Sequence, residues 1–404
     1  MKRWKKIALA LLVIVALSQI PFAYRRYKLG RLNAAIQLLN SQRRLDHSDR
    51  NFAEYKGVIH VHSFLGGHST GNFEEIIAAA NVNQLNFVVM TEHPSKNFNT
   101  AEMTLKGVRG GVLFINGNEV TTGNEDRLLI MPGDEMASGA AGSSTKDVLS
   151  REKIRGALAF IAYPQEFRSW DASDYDGVEL YNLYTNARQI NPFVMFFDGL
   201  WSYRSYPDLL FATFYAKPAA NLKRWDEALT TRRQKIVAIA GNDAHANVGI
   251  SLNDSSGKTL LGFRLDPYER SFHLVRVHVL IPKEKALDSD TLLAAIAAGH
   301  CFIAFDLFCD SSGFRFTASN TNENKIQGDE IGLAKEVRLG VSTPASSRVV
   351  LLRDGNAVQE FSDVRAKDFV VTERGTYRVE VYLPQLPKPI SDQPWIISNP
   401  IYVR

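Results

Sequence analysis

The stretch Gly57-Val58-Ile59-His60-Val61-His62-Ser63 sets two histidines one residue apart within a run of β-branched apolar side chains. Such a run is typical of a buried strand. Successive side chains of a strand point to opposite faces, so His60 and His62 face the same side, with Cα atoms roughly 6–7 Å apart. Two imidazoles in this arrangement can bind one metal ion, and His68 follows six residues after the second of them.

The pattern of a short apolar strand that ends in polar residues recurs along the chain. Runs that end near His93, Glu119 and Asp243 repeat it, and around seven such strands precede a change of pattern. Because a β/α barrel carries its functional side chains at the C-terminal ends of its strands, the sequence predicts a β/α barrel for residues 55–305. Short alternating strands and turn residues then take over, which predicts a small antiparallel β-sandwich for residues 306–404.

The N-terminus is basic and apolar. Residues 1–31 contain eight basic and no acidic residues, and they include 18 uncharged residues from Ile7 to Tyr24. This composition predicts a membrane anchor or a signal segment. We favour an uncleaved transmembrane helix that leaves the body outside the cytoplasm, on the periplasmic side in a bacterium. Residues 32–54 carry apolar side chains at helical spacing and are predicted to form a helical stalk.

The net charge of +4 at pH 7 comes from this N-terminal segment. The rest of the chain has 39 basic and 43 acidic residues. A mildly acidic body gives no reason to expect a nucleic-acid-binding surface. The partner that the sequence indicates at this point is the membrane, and the oligomeric state stays open.

Seven residues of metal-binding type fall at predicted strand ends or in the loops that follow them: His60, His62, His68, His93, Glu119, Asp243 and His245. The two cysteines, Cys301 and Cys309, form no metal-binding motif, and whether they are joined stays open. Imidazole and carboxylate ligands without thiolates suit zinc, manganese or iron at a hydrolytic centre. Each residue alone could cap a turn or a helix, but all seven together at strand ends favour a metal site.

Four ordered motifs resemble those of the PHP (polymerase and histidinol phosphatase) superfamily of metal-dependent phosphoesterases: His60-Val61-His62-Ser63, Thr91-Glu92-His93, Gly117-Asn118-Glu119 and Gly241-Asn242-Asp243-Ala244-His245. The β-rich tail is similar to the extension in the carbaryl-hydrolase-like branch. The resemblance implies a distorted seven-stranded β/α barrel. It also implies one metal held by His60, His62, Glu119 and Asp243, and another held by His68, His93 and His245.

The sequence departs from the family pattern where three-metal members bind their middle metal. Tyr163-Pro164 stands where a His-Pro is expected, and no histidine occurs in the segment after Glu119. A phenol replaces an imidazole poorly as a ligand unless the metal deprotonates it. We therefore predict two divalent metal ions rather than three, with Asp126 as a weak substitute ligand.

The resemblance implies a metal-dependent phosphoesterase that acts on a small phosphomonoester or phosphodiester. The catalytic residues would be His60, His62, Glu119, Asp243 and His245, and the substrate-binding residues Tyr163, Arg127 and Asn182. Two alternatives stay open. One is a hydrolase of carboxyl, carbamate or amide esters, and the other is a catalytically weakened, membrane-tethered binding domain.

Overall fold

The computed structural model describes residues 3–44, 51–187, 191–232, 235–247, 249–253, 259–264 and 266–404. It is a mixed α/β structure with large sheets and an apolar N-terminal helix. The α-helices are α1 (Arg3–Ser41), α2 (Phe73–Val82), α3 (Thr100–Met103), α4 (Thr145–Arg155), α5 (Leu183–Ala187), α6 (Pro192–Ser202), α7 (Ala219–Arg232), α8 (Tyr268–Leu274) and α9 (Ser289–Ala297). Shorter 3₁₀ helices span Phe64–Gly66, Glu135–Gly142, Asp208–Phe214 and Ile390–Asp392.

The strands of the first two thirds of the chain lie in two sheets and one hairpin. The first sheet contains β1 (Phe52–Val61), β2 (Phe87–Met90), β3 (Gly107–Arg109) and β4 (Val112–Ile115). The second contains β5 (Asn118–Thr121), β6 (Arg127–Met131), β7 (Leu158–Ala162), β8 (Gly177–Asn182) and β9 (Val237–Gly241), in that order. The hairpin pairs β10 (Gly249–Asn253) with β11 (Thr259–Arg264).

The remaining strands extend the first sheet, and they are mostly antiparallel. They are β12 (Arg276–Pro282), β13 (Cys301–Ala304), β14 (Arg315–Ser319), β15 (Asn324–Ile326), β16 (Glu330–Ile331), β17 (Val337–Arg353), β18 (Asn356–Val371), β19 (Gly375–Tyr382), β20 (Pro394–Ser398) and β21 (Ile401–Val403). The sheet runs in the order β15-β14-β17-β19-β20-β13-β12-β1-β2-β4-β3. Strand β20 pairs with β13, with Ile303 opposite Ile397. The predicted boundary at 305/306 is therefore crossed by a continuous ladder of hydrogen bonds.

Two isolated bridges bring the sheets together at the ends of parallel strands. Val61, at the end of β1, bridges Ala244, and Glu92, just beyond β2, bridges Asn118. The backbone N–H of His62 donates to the Ala244 carbonyl at 3.1 Å. Within the described ranges the strands do not close into a single barrel, so the seven-stranded barrel stays a prediction.

Helix α1 is continuous across the predicted boundary between anchor and stalk. Its apolar half has a mean hydropathy of 2.2 over 18 residues and is exposed, which is the length and composition of a membrane span and also of a signal sequence. Its other half packs against the core through Leu32, Ile36 and Leu39. The helical spacing predicted there is present, but these side chains are buried rather than part of a free stalk. Residues 45–50 of the predicted stalk lie outside the described residues.

The core that joins the two parts of the chain contains a buried histidine between carboxylates. On β12, Nε2 of His278 lies 3.0 Å from Oδ2 of Asp306, and Nδ1 lies 2.8 Å from Oε1 of Glu54. Both cysteines are also buried, and both are free thiols.

We expect His278 to make stability depend on pH. Burial lowers the pKa of His278, but the Asp306 and Glu54 carboxylates outweigh it and raise that pKa to about 9. Protonation of His278 therefore stabilises the folded state fully below about pH 6.5, and this contribution of about 3 kcal/mol is lost as pH rises through about 9. Urea unfolding in detergent at pH 6, 7.5 and 9 measures the free energy of unfolding of wild type and of His278→Gln. The stability gap between wild type and His278→Gln should narrow across this range, and parallel curves would contradict the assignment.

Candidate metal centre

Strand ends from both sheets bring the predicted ligands together. His60 and His62 come from the end of β1, Glu119 from β5, and Asp243 and His245 from the turn after β9. All five side chains are buried, with His60 and His62 fully so. The end of β1 is irregular, because His60 has φ of 68° and the pairing with β2 shifts register between Ile59 and Val61.

Positive φ at a residue with a side chain costs free energy, and such residues cluster at functional sites. His60 and Asp243, with φ of 48°, both have this conformation. Gly241, which precedes the turn, leaves room for the site. A Cβ atom there would lie 1.6 Å from Oε1 of Glu179 and 3.0 Å from the His60 Cβ. The glycine of the Gly241-to-His245 motif is therefore required by this close approach.

The first ligand group consists of His60, His62, Glu119 and Asp243, whose ligand atoms lie within 4.8 Å of one another. Oε2 of Glu119 is 3.3 Å from Nε2 of His60 and 3.4 Å from Nε2 of His62. Oδ1 of Asp243 is 3.4 Å from each of the same two nitrogens. Two imidazoles and two carboxylates thus converge on one small space, and these are the four residues that the family resemblance assigns to one metal.

The second group consists of His62, His93 and His245. Nε2 of His93 also lies 3.4 Å from Oε2 of Glu119, so this oxygen of the first group contacts a member of the second. The predicted set had His68 in place of His62. The structure places His68 beside this group, with its Nε2 2.7 Å from Nε2 of His245.

The residues present fit a bound cation. Four atoms of the cluster are buried without a hydrogen-bond partner among the described residues: Nδ1 and Nε2 of His62, Oε1 of Glu119 and Oδ1 of Asp243. Buried polar groups are nearly always paired, and each unpaired one carries a desolvation cost. A metal ion would satisfy His62 Nε2 and the carboxylate oxygens together.

The electrostatics of the cluster also favour a positive charge. Burial raises the pKa of Asp243 and of Glu119, but His60 outweighs it, and both pKa values fall below their ordinary range. Burial lowers the pKa of His60, but three surrounding carboxylates raise it well above its ordinary value. Burial and the charge on His62 lower the pKa of His93 to about 3 and of His245 to about 4. Those two imidazoles are therefore neutral at pH 7, which is the form that binds a metal.

Glu179 belongs to the site but was not among the predicted residues. It is fully buried on β8, and its Oε1 lies 2.6 Å from Nδ1 of His60. A carboxylate on the far nitrogen of a ligating histidine fixes the ring and its tautomer. The sequence does contain one indication of this role, because Glu179 is a charged residue in the middle of the apolar strand Gly177–Asn182. An acid that is buried in such a strand needs a partner.

The three predicted substrate-binding residues all lie beside the cluster. The Tyr163 hydroxyl donates to Oδ2 of Asp243 at 2.5 Å, and burial with nearby carboxylates raises the Tyr163 pKa. Arg127 is partly exposed, lies over the Tyr163 ring at 4.9 Å, and has Nη1 3.6 Å from Oε1 of Glu119. Asn182 donates to Glu179 and Asp243 at 3.1 and 3.3 Å, so it positions carboxylates.

Asp126 does not join either ligand group. Its buried oxygens accept hydrogen bonds from the Thr145 hydroxyl at 2.7 Å and from the Arg168 N–H at 2.6 Å. Both carboxylate oxygens therefore already accept hydrogen bonds that stabilise the loop after β5. The role of substitute metal ligand predicted for Asp126 is therefore not supported by its position.

Comparison with known proteins adds little to this geometry. No protein-family model matches the chain, and no curated protein matches its sequence. Seven chains of solved structures match, among them PsfC from Pseudomonas syringae, with 11% identity and a TM-score of 0.34 over 62% of this chain and 91% of PsfC. The functional assignment therefore depends on the cluster itself.

Proposed function

We propose that the protein is a metal-dependent phosphoesterase of the PHP type that acts on a small phosphomonoester or phosphodiester. The observation that carries this proposal is the buried cluster at the strand ends, with imidazole and carboxylate atoms that have no partner within the described chain. We propose two divalent ions, zinc, manganese or iron, because six imidazole and carboxylate side chains make two groups that share His62. When bound, such ions supply a water that ionises near neutral pH and positive charge for the transition state.

The chain's own residues have separate tasks in this proposal. Glu119 and Asp243 supply the negative charge that holds the ions, and Glu179 orients His60. Tyr163 keeps Oδ2 of Asp243 occupied by donating to it, which leaves Oδ1 for the metal. These tasks fix the ligands before substrate arrives, and preorganisation of this kind lowers the cost of reaching the transition state.

Arg127 favours a phosphoester over an uncharged ester. Its guanidinium is 44% exposed and lies at the edge of the cluster, beside Glu119. A guanidinium donates two parallel hydrogen bonds to a phosphate, whereas a carbamate or carboxyl ester offers no such charge. From this position Arg127 would bind phosphoryl oxygens of the substrate.

A panel of esters tests the proposal. Wild type and Asp243→Asn are assayed with added manganese or zinc on phosphomonoesters, phosphodiesters, aryl carbamates and carboxyl esters. We expect phosphoester turnover in wild type and a loss of at least about 100-fold in Asp243→Asn, because the variant lacks one of the two anionic ligands. Carbamate or carboxyl-ester turnover alone would select the other hydrolase. No turnover of any ester would leave a binding domain as the better description. Equal phosphoester rates in wild type and Asp243→Asn would show that the activity does not use this cluster, and would contradict the proposal.

A further inference from the structure

Helix α6 exposes its apolar side chains and buries its acid. Phe193, Phe196 and Leu200 lie on one face and are 64, 54 and 67% exposed, whereas Asp198 is 6% exposed. A helix at a water-facing surface has the opposite arrangement, with its apolar stripe toward the core. The inverted pattern indicates that the outer face of α6 meets something other than water.

The buried acid fixes α6 to the N-terminal helix. Nε of Arg25 on α1 donates to both oxygens of Asp198, at 2.7 and 2.8 Å. The rings of Phe22 and Phe197 stack with centroids 4.9 Å apart. Gln19 accepts a hydrogen bond from the Trp201 indole at 3.0 Å. The contact therefore begins at the last residues of the apolar run of α1.

The apolar half of α1 leaves the body at the end that carries the metal cluster. Asn40, near the C-terminus of α1, accepts from Asp310, which also faces Lys56 in the first half of β1. In the other direction α1 reaches α6, which follows the C-terminal end of β8. Beyond α6, Asp208 contacts His273 of α8 at 3.2 Å. Helix α8 in turn lies at the cluster, because its Tyr268 donates to the His62 carbonyl at 2.6 Å.

We propose that the outer face of α6 lies in the lipid–water interface of the membrane that α1 crosses. The face is continuous with the apolar half of α1 through the contacts at Gln19 and Phe22. On α1 itself, Tyr24 and Tyr27 are aromatic side chains suited to the interface, and they are exposed by 56 and 60%. Arg26 on α1 and Arg204 after α6 add exposed positive charge, which anionic headgroups attract. A helix with this composition buries its apolar face about 5–10 Å into the headgroup region. The body is then held against the bilayer at two places, with the strand ends of the metal cluster on the membrane side.

Labels at single introduced cysteines test this placement in the full chain. The native cysteines are buried, so an environment-sensitive fluorophore can be attached at Phe196→Cys or Leu200→Cys. The matched control is Ile154→Cys on α4, an apolar residue that is 89% exposed. Each variant is reconstituted in nanodiscs of phosphatidylcholine and phosphatidylglycerol, at one intact chain per disc, with and without a quencher carried on the lipid.

We expect lipid-borne quenching at positions 196 and 200 to exceed that at 154 by at least about threefold, and quenching by aqueous iodide to show the reverse order. Equal accessibility of all three positions to iodide would overturn the proposal. Protection from iodide without quenching by lipid would overturn it as well. A second preparation with two chains per disc completes the test: protection that appeared only there would also overturn the proposal and would identify the face as an interface between copies.

Discussion

Replacing Glu119 by glutamine should empty the metal centre. A single oxygen of this residue, Oε2, lies 3.3–3.4 Å from the Nε2 atoms of His60, His62 and His93. This oxygen therefore belongs to the first ligand group and also contacts His93 of the second. An amide of the same size removes the negative charge that lies against members of both groups. We expect purified wild type to retain two equivalents of metal after dialysis and Glu119→Gln to retain less than one, as measured by elemental analysis.

The loss of affinity should exceed the 10- to 100-fold range typical of residues that only support a ligand, and so should reach more than about 100-fold. The matched control is Glu92→Gln. Glu92 is also a buried acid at a strand end, but its oxygens accept hydrogen bonds from Ser63 and Thr104. That variant should lose stability and keep two equivalents. The assignment of Glu119 as a metal ligand fails if its variant binds metal as wild type does.

Much of this site follows from the sequence because its ligands sit in local patterns. An alternating strand predicts that His60 and His62 converge, and the turn after β9 brings Asp243 and His245 with it. Local patterns do not predict which histidines make up the second group, which contains His62 where His68 was expected. His62 lies in both groups and His68 lies against His245. The pairing of β1 with β2 shifts register between Ile59 and Val61, next to these residues, and no spacing rule predicts such an irregularity.

In the fold too, the individual elements follow from local sequence patterns, whereas the contacts between distant elements do not. Alternation predicts the individual strands of the C-terminal third, and the apolar run predicts the N-terminal helix. The pairing of β20 with β13 joins residues about 95 positions apart, and loop closure over such a distance is set by tertiary packing rather than by any local propensity. The burial of Leu32, Ile36 and Leu39 is likewise decided by a surface formed elsewhere in the chain.

Glu179 illustrates the same limit within the site. Its carboxylate reaches His60 across the sheets, over 119 positions. A lone acid in an apolar strand shows that a partner must exist, but the sequence does not show which one. The structure identifies His60 as that partner, so a change at Glu179 should alter how His60 binds a metal.

We expect Glu179→Gln to weaken metal binding by 10- to 100-fold while leaving two equivalents at saturating metal. The carboxylate accepts from Nδ1 of His60 at 2.6 Å and so leaves Nε2 of the same ring directed at Glu119 and Asp243. Glutamine keeps the volume of the side chain, but its neutral amide holds the ring less strongly and can present either a donor or an acceptor. The ligand remains, so the number of ions should not change.

Competition with a fluorescent chelator measures the affinity, and elemental analysis at saturation measures the number of ions. The matched control is Glu152→Gln on α4. Glu152 is also buried, but its partners are Arg151 and Arg155, and its variant should lose stability without a change in metal affinity. A positioning residue and a ligand then give different signatures, because Glu179→Gln lowers affinity at full stoichiometry whereas Glu119→Gln lowers the stoichiometry itself. If Glu179→Gln binds within about twofold of wild type, the carboxylate does not orient His60, and the buried pair serves only to neutralise charge in the core.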